Sequence, residues 1–190
     1  MSASQDFIVR ALREYSTFNF PTGGFLPGLT LWSPERQQGI TKIVGPAHTV
    51  KYALLDDPAP KHPSHYIDSI PEGAVVFISS PKTPNAVYGG LMSTRAQASK
   101  AAGSVIDGGV RDLQEHRTLN YPVFARDIGT APPYGAVKIV GVNVPIQLQS
   151  EEPHLTVLPL MEKQREADAK LALAIREDMA FTEASRIFRA

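Results

Sequence analysis

Gly89, Gly90, Leu91 and Met92, with Arg111 and Asp112 coming twenty residues after Gly90, put three chemical resources into one short unit. Two glycines let the backbone turn sharply and come close to a ligand. The following stretch, STRAQASKAA (93–102), is small, polar and rich in helix formers, which predicts that Leu91 and Met92 open a helix. The first N–H groups of a helix have no internal partner and carry the positive end of the dipole, so they can receive a carboxylate. Arg111 offers a planar fork for a carboxylate or keto oxygen, and Asp112 offers a hard oxygen for a divalent cation such as Mg²⁺. Together these groups suit a 2-oxo acid gripped through its keto and carboxylate oxygens.

A structural reading stands beside the chemical one. Asp112, with Glu115 three residues on, has the form of a helix N-cap with its capping-box partner, worth about 0.5–2 kcal/mol without any substrate. Arg111 could equally pair with a surface carboxylate. Local sequence leaves both readings open; the spacing favours chemistry.

The elements that must hold these residues follow from pattern. GSVIDGGV (103–110) reads as a short buried strand ending in glycines, and the polar stretch from Asp112 to Leu119 as a helix. Arg111 and Asp112 then fall at a strand-to-helix turn, the end of an open α/β sheet where ligands bind. Strands are also expected at 44–55, 74–79, 123–126, 137–142 and 145–149. Turns are expected at Pro21-Thr22-Gly23-Gly24, Pro27-Gly28 and Pro71-Glu72-Gly73, with a loop at Asp56 to Pro60 running on to His62-Pro63. Phe7, Ile8, Ala11, Leu12 and Tyr15 share one face of an N-terminal helix. Leu160, Ala167, Leu171, Ala174 and Ile175 recur at helical spacing in a C-terminal helix at about 158–179, suited to packing or oligomerisation. No internal repeat or long linker divides the 190 residues, so one domain, 1–190, is expected.

Composition narrows the class. Nineteen basic and nineteen acidic residues cancel, which argues against a dedicated nucleic-acid or membrane-surface binder. Zero cysteines exclude a disulfide framework, thiol catalysis and a thiolate metal site. The N-terminus MSASQDFIVRALREY lacks the apolar stretch of a signal peptide, and no run approaches a membrane span, so a cytoplasmic protein is expected. Asp56-Asp57 beside prolines reads as a solvated loop before a metal pair. His62 and His65 lie in a proline-rich loop that disfavours zinc. His116 could order the Arg111-Asp112 turn or sit on a helix surface, and Trp32 belongs to no aromatic stripe that could stack on bases.

The arrangement G-x20-R-D-x2-E/D resembles the signature of the RraA-like family, which includes class II 4-hydroxy-4-methyl-2-oxoglutarate (HMG) aldolases with oxaloacetate decarboxylase activity. The resemblance extends through YGGLMSTRAQASKAAGSVIDGGVRDLQEHRTLNYPVFARDIGT and VKIVGVNVPIQL, and more loosely to PTGGFLPGLTLWSP and GPAHTVKYALLDDPAP. It looks most like the fungal branch. Two family segments have no counterpart, one after Ser16-Thr17 and one β-hairpin between His154-Leu155-Thr156-Val157 and Leu158, so the chain looks internally shortened.

The resemblance implies a swivelling β/β/α (RraA-like) α/β domain with N- and C-terminal helices, usually a homotrimer with sites at subunit contacts. It implies that Gly89, Gly90, Leu91 and Met92 form the substrate loop, with the Leu91 and Met92 amides on the pyruvyl carboxylate. Arg111 would contact substrate, Asp112 would hold Mg²⁺ or Mn²⁺, and Glu115 would support the loop. Many bacterial members carry an acidic residue where Gly90 stands. The implied activity is lyase chemistry that leaves a pyruvate enolate, with the cation as Lewis acid, Arg111 adding charge, and a water held near Asp112 as candidate base. No organic cofactor is needed. The alternatives are a noncatalytic RraA-like regulator that binds an RNA-degrading enzyme, and an inactive shortened homologue.

Overall fold

The structure is a computed structural model in which residues 9–10, 26–148 and 156–157 are described; all but Val9 and Arg10 belong to the unit Gly24–Pro159. Val9 and Arg10 are helical, but the expected N-terminal face and the expected C-terminal helix otherwise lie outside the described residues. In chain order the elements are β1 (Thr30–Ser33), β2 (Ala47–Leu54), a 3-10 turn (Tyr66–Asp68), β3 (Val75–Ser79), β4 (Ala86–Tyr88) and α1 (Gly90–Ala98). They continue with β5 (Gly103–Val110), α2 (Leu113–Thr118), β6 (Val123–Ile128), a second 3-10 turn (Pro133–Gly135), β7 (Val137–Val142), β8 (Ile146–Gln147) and β9 (Thr156–Val157).

The main sheet runs β1-β6-β5-β3-β2-β7. Its four inner strands, β2, β3, β5 and β6, are parallel, and an antiparallel strand closes each edge, β1 on β6 and β7 on β2. Parallel strands covered on both faces read as continuous apolar runs rather than alternating ones, which is why β3 (VVFIS) and the first half of β5 (GSVI) are legible in the sequence. Val76, Ile78 and Ile106 are fully buried there, joined by Val50 and Tyr52 from β2, Val123 and Ala125 from β6, and the rings of Tyr66, Tyr88 and Tyr121.

β4 is the short element that matters most for the site. β3 pairs with β5 only as far as Ser79 opposite Asp107; β4 then takes over the same edge, with Ala86 opposite Gly109 and Tyr88 opposite Val110. The ladder continues one step further, because the Arg111 N–H donates to the Tyr88 carbonyl at 3.0 Å. Residue 89 is thereby delivered beside residue 112.

The expected mixed α/β architecture is present, and the strands at 103–110 and 137–142 keep the expected limits. Five expectations change in extent. The strand at 74–79 begins at Val75 and that at 123–126 runs on to Ile128. The strand at 44–55 begins only at Ala47, since Gly45 and Pro46 cannot open a regular ladder. The strand at 145–149 shrinks to Ile146–Gln147, which pairs with Thr156–Val157 in a separate two-stranded ribbon. The helix after Arg111 starts at Leu113 and ends at Thr118. β1 and β4 are additions to the expected strands: each has four residues or fewer and is hemmed in by proline and glycine. Asp57 accepts the Ala59 N–H at 2.8 Å in a local turn, in keeping with a loop role for Asp56-Asp57. Trp32 is buried and donates to the Ala125 carbonyl at 3.1 Å, so it serves the core. Among the described residues, no helix is long and apolar enough to cross a membrane.

Candidate functional site

Two turns meet at the C-terminal end of β4 and β5. Gly89, extended, is the N-cap of α1 and has no side chain with which to cap it. The cap comes from across the ladder: the Gly90 N–H donates to Asp112 Oδ2 at 3.0 Å. A carboxylate at this point is favoured by both the unpartnered amide and the positive end of the α1 dipole.

Asp112 can reach it because of its own backbone. It sits at φ 61, ψ 43, in the left-handed region that aspartate tolerates better than most residues. An N-cap side chain folds over its own helix from extended backbone; from the left-handed region the Asp112 carboxylate turns to α1 instead and makes no cap bond to α2. The capping-box reading of Asp112 and Glu115 is therefore overturned. Glu115 N–H bonds only to the Asp112 carbonyl, at 3.0 Å.

Both glycines are required by close approach. A Cβ on Gly89 would stand 2.6 Å from Asp112 Oδ2 and 3.1 Å from Arg111 Nε. One on Gly90 would collide with Glu115 Oε2 and lie 2.6 Å from its Cδ and 2.7 Å from its Cβ. Glu115 thus fills the volume that a side chain at position 90 would occupy.

Arg111 Nε lies 3.8 Å from Asp112 Oδ2, too far for a hydrogen bond, and the two side chains are 40% and 31% exposed. The guanidinium is therefore left with donors for a ligand. Asp112 Oδ1 has no hydrogen-bond partner among the described residues. Of the backbone donors at the start of α1, Gly90 is taken by Asp112, and Met92, expected to face a carboxylate, already donates to the Gly89 carbonyl at 3.0 Å. Leu91 differs: its N–H has no acceptor among the described residues, and the residue is 74% exposed. The two turns therefore carry a Leu91 N–H, an Arg111 guanidinium and one Asp112 oxygen without hydrogen-bond partners among the described residues, while the Met92 N–H is used by the backbone.

Behind the turns lies His116, for which sequence allows either an ordering role or a surface position. It is fully buried, with Nδ1 2.8 Å from Ser93 Oγ and its ring stacked on Tyr88. Burial lowers its pKa below 6.5, outweighing the Arg111 backbone and the carboxylates of Asp112 and Glu115, which raise it. Burial likewise pushes the Tyr88 hydroxyl up to about 12. Sequence reasoning passes over Ser93, which looks like one more small helix residue. It also passes over the ion pair between Asp107, fully buried on β5, and Arg126 on β6. His62 and His65 bond locally, to Ser64 and to the Ile67 N–H. Among the described residues, no group of three or more His, Cys, Asp or Glu converges as a metal cage.

Fold and turns together define a class: a mixed α/β domain with a guanidinium and a carboxylate set on one turn against a helix N-terminus. The chain belongs to the RraA-like family, described as Aldolase/RraA, which matches residues 29–155. It is 34% identical over 90 residues to Protein DlpA of Legionella pneumophila, a match covering 46% of this chain and 15% of that protein. It is 30% identical over 105 residues to a Halalkalibacterium halodurans protein named "Putative 4-hydroxy-4-methyl-2-oxoglutarate aldolase", covering 55% of this chain and 49% of that one. The matches thus span half or less of those relatives' lengths. Among solved structures, Streptomyces coelicolor RraAS2, described as an unusual member of the RNase ES inhibitor RraA protein family, shares the fold. Its TM-score is 0.62 at 19% identity, over 95% of this chain and 96% of that one.

Proposed function

We propose that this protein is a divalent-metal-dependent lyase that breaks a C–C bond of a small 2-oxo acid and leaves a pyruvate enolate, acting as an HMG-type aldolase and oxaloacetate decarboxylase. The observation that supports the reading is that the Leu91 N–H, the Arg111 guanidinium and Asp112 Oδ1, carried on two turns tied by the Gly90–Asp112 bond, have no hydrogen-bond partner among the described residues.

The donor set fits a particular kind of cation. One carboxylate oxygen on a half-open turn, with no cage of further ligands among the described residues, suits Mg²⁺ or Mn²⁺ held by one protein oxygen, waters and substrate. It does not suit a closed zinc site. Asp112 would hold the ion, which when bound supplies Lewis-acid stabilisation of negative charge on the keto oxygen.

The chain's own residues do the rest. Leu91 N–H, at the positive end of α1, receives the 2-oxo acid's carboxylate and fixes its orientation. Arg111 would meet the keto oxygen as it gains charge, the C–C electron pair becoming the enolate C=C while the carbonyl π pair moves onto oxygen; loss of one such donor costs about 10²–10³ in rate. With oxaloacetate the departing group is CO₂, and the enolate takes up a proton to give pyruvate. In the aldol case the C4 hydroxyl proton must also leave, and a water near Asp112 is the proposed base. The homotrimer implied by the family resemblance is part of the proposal and is checked by light scattering.

Pyruvate release from oxaloacetate and from HMG, with Mg²⁺ or Mn²⁺ and then with EDTA, tests the reading. Release should need the metal and disappear in Asp112→Asn and Arg111→Ala. Release that survives EDTA, or that Asp112→Asn leaves untouched, contradicts it. A folded protein inert with both metals would point instead to a noncatalytic protein-binding role.

A further inference from the structure

A chain of buried side chains behind the two turns takes no part in the chemistry above. His116 on α2 meets Ser93 Oγ on α1 at 2.8 Å; Ser93 Oγ donates to Tyr88 Oη on β4 at 3.2 Å. Ser104 Oγ on β5 donates to the same Tyr88 Oη at 3.0 Å and lies 3.1 Å from Tyr121 Oη. Ser93, Ser104 and His116 have no exposed surface. The chain therefore joins β4, α1, β5 and α2, the four elements that deliver Gly89, Leu91, Arg111 and Asp112.

With the Ser93 hydroxyl proton assigned to Tyr88, His116 Nδ1 is the donor to Ser93 Oγ. Nε2 is buried without a hydrogen-bond partner among the described residues.

The packing of α1 explains why such a link has work to do. The fully buried positions of α1 are Gly90, Ser93 and Ala96, all small, and Met92 is its one large side chain packed, half-buried, against the core. Dispersion between small groups is non-directional and sets register poorly, whereas a 2.8 Å hydrogen bond in a dry interior has a narrow optimum. Asp112 also ties the two turns together, through the Gly90 N–H, but that carboxylate is the proposed ligand.

We propose that His116 is a positioning residue: through Ser93 it sets the first turn of α1 against the Arg111-Asp112 turn, and so fixes the separation of the Leu91 N–H, the guanidinium and the carboxylate. The proposal rests on the lyase reading for its catalytic consequence, while its structural content is independent of that reading.

The test uses the full chain with Ser93→Ala, Ser93→Thr, His116→Asn and His116→Leu, each checked for folding by circular dichroism. Two readouts are taken: kcat and KM for oxaloacetate with Mg²⁺, and hydrogen exchange of the Gly90 amide. Ser93→Ala and His116→Leu should lower kcat by about 10–100-fold with KM changed little, the scale for misplacing reacting groups by a fraction of an ångström to 1 Å. His116→Asn, which keeps an N–H donor near the place of Nδ1, and Ser93→Thr should recover most of the loss. The Ser93→Ala, His116→Leu double variant should be no worse than the poorer single one, because both remove the same bond. Gly90 exchange should quicken in Ser93→Ala and His116→Leu. Multiplying losses, a purely KM effect, or unchanged kcat in folded Ser93→Ala overturns the proposal. If His116→Leu does not fold, Ser93→Ala, which deletes a single oxygen, settles the matter. If the wild type releases no pyruvate, the lyase reading fails on its own, and Gly90 exchange decides: faster exchange upholds the positioning link and unchanged exchange removes it.

Discussion

Gly90→Ala tests how closely α1 and α2 are packed at the site. An alanine at the first position of a helix is ordinarily a gain of about 0.5–1 kcal/mol over glycine, from backbone entropy. Here the new methyl would collide with Glu115 Oε2, lie 2.6 Å from Cδ and lie 2.7 Å from Cβ. The first two atoms can swing away, because Glu115 is exposed. Cβ cannot, because it is fixed to the α2 backbone. Ordinary contact begins at 3.4 Å, so the two helices must part by about 0.7 Å. Forcing a methyl into such a contact costs about 1–3 kcal/mol, and subtracting the helix gain leaves a net loss of about 1 kcal/mol. Urea unfolding of the single variants and the double variant gives the coupling directly. Glu115→Gly, which removes Cβ, should recover at least about 1 kcal/mol in the Gly90→Ala background, while Glu115→Ala should recover only part. A Gly90→Ala protein as stable as the wild type, or a coupling near zero with Glu115→Gly, would show that the helices are not in contact as described.

Asp112 carries a left-handed backbone and a cap as well as its proposed ligand role, and substitutions separate these. Asp112→Asn suits the positive φ and keeps an acceptor for Gly90, so its unfolding midpoint should stay close to wild type while metal-dependent release is lost; Asp112→Ala should also lose about 1–2 kcal/mol. Arg126→Ala removes the guanidinium paired with the fully buried Asp107 and should lower the denaturant midpoint, where an unchanged midpoint would refute a stabilising role for the pair. Burial lowers the pKa of His48 and of His116 below 6.5, so the native state binds fewer protons than the unfolded one. Their contribution is fully present above pH 6.5 and is lost as pH falls through the folded values, by about 1.4 kcal/mol per pH unit for each group within that window. Urea midpoints taken from pH 8 down to 5 should fall accordingly, less steeply in His116→Asn; midpoints independent of pH would refute the assignment.

Legibility follows the length and burial of each element. β3, β5 and β7 are readable because apolar residues run through them, and the helix after Gly89 because STRAQASKAA has nothing to oppose it. β4 is not: Ala86, Val87 and Tyr88 are too few to show a period and lie between PKTPN and GG. Its existence depends on the edge of β5 that β3 leaves open after Ser79, which is a tertiary fact. The site divides in the same way. Gly89, Gly90, Arg111 and Asp112 stand out by type and spacing. The rotation of Asp112 away from its own helix does not, because it depends on a positive φ that local sequence does not dictate. Nor does the burial of His116, since α2 has only six residues and too little pattern to show which face is inside.

The number twenty in the motif is itself a statement of length. From Gly90 the chain must run away from the ligand end of the sheet and come back, so that Arg111 lands beside the turn it left. The outward leg is α1, nine residues, followed by the four residues 99–102; the return leg is β5, eight residues. At about 1.5 Å per residue α1 spans about 13 Å, and at its end the chain turns back, with Lys100 at φ 57 and the Ser99, Lys100 and Ala101 N–H groups bonded to the last turn of the helix. The return leg, at about 3.3 Å per residue, covers about 26 Å. The Arg111 N–H to Tyr88 carbonyl bond is where the legs close. A shorter helix would end farther from the start of β5. A longer one would need slack that 99–102 does not contain, since Ser99, Lys100, Ala101 and Ala102 all have their N–H groups bonded. The spacing thus reports the strand crossover, and would be kept by a protein that had lost its chemistry. Arg111 and Asp112 are not required by that closure, and it is on those two side chains, rather than on the interval between the turns, that the case for an enzyme rests.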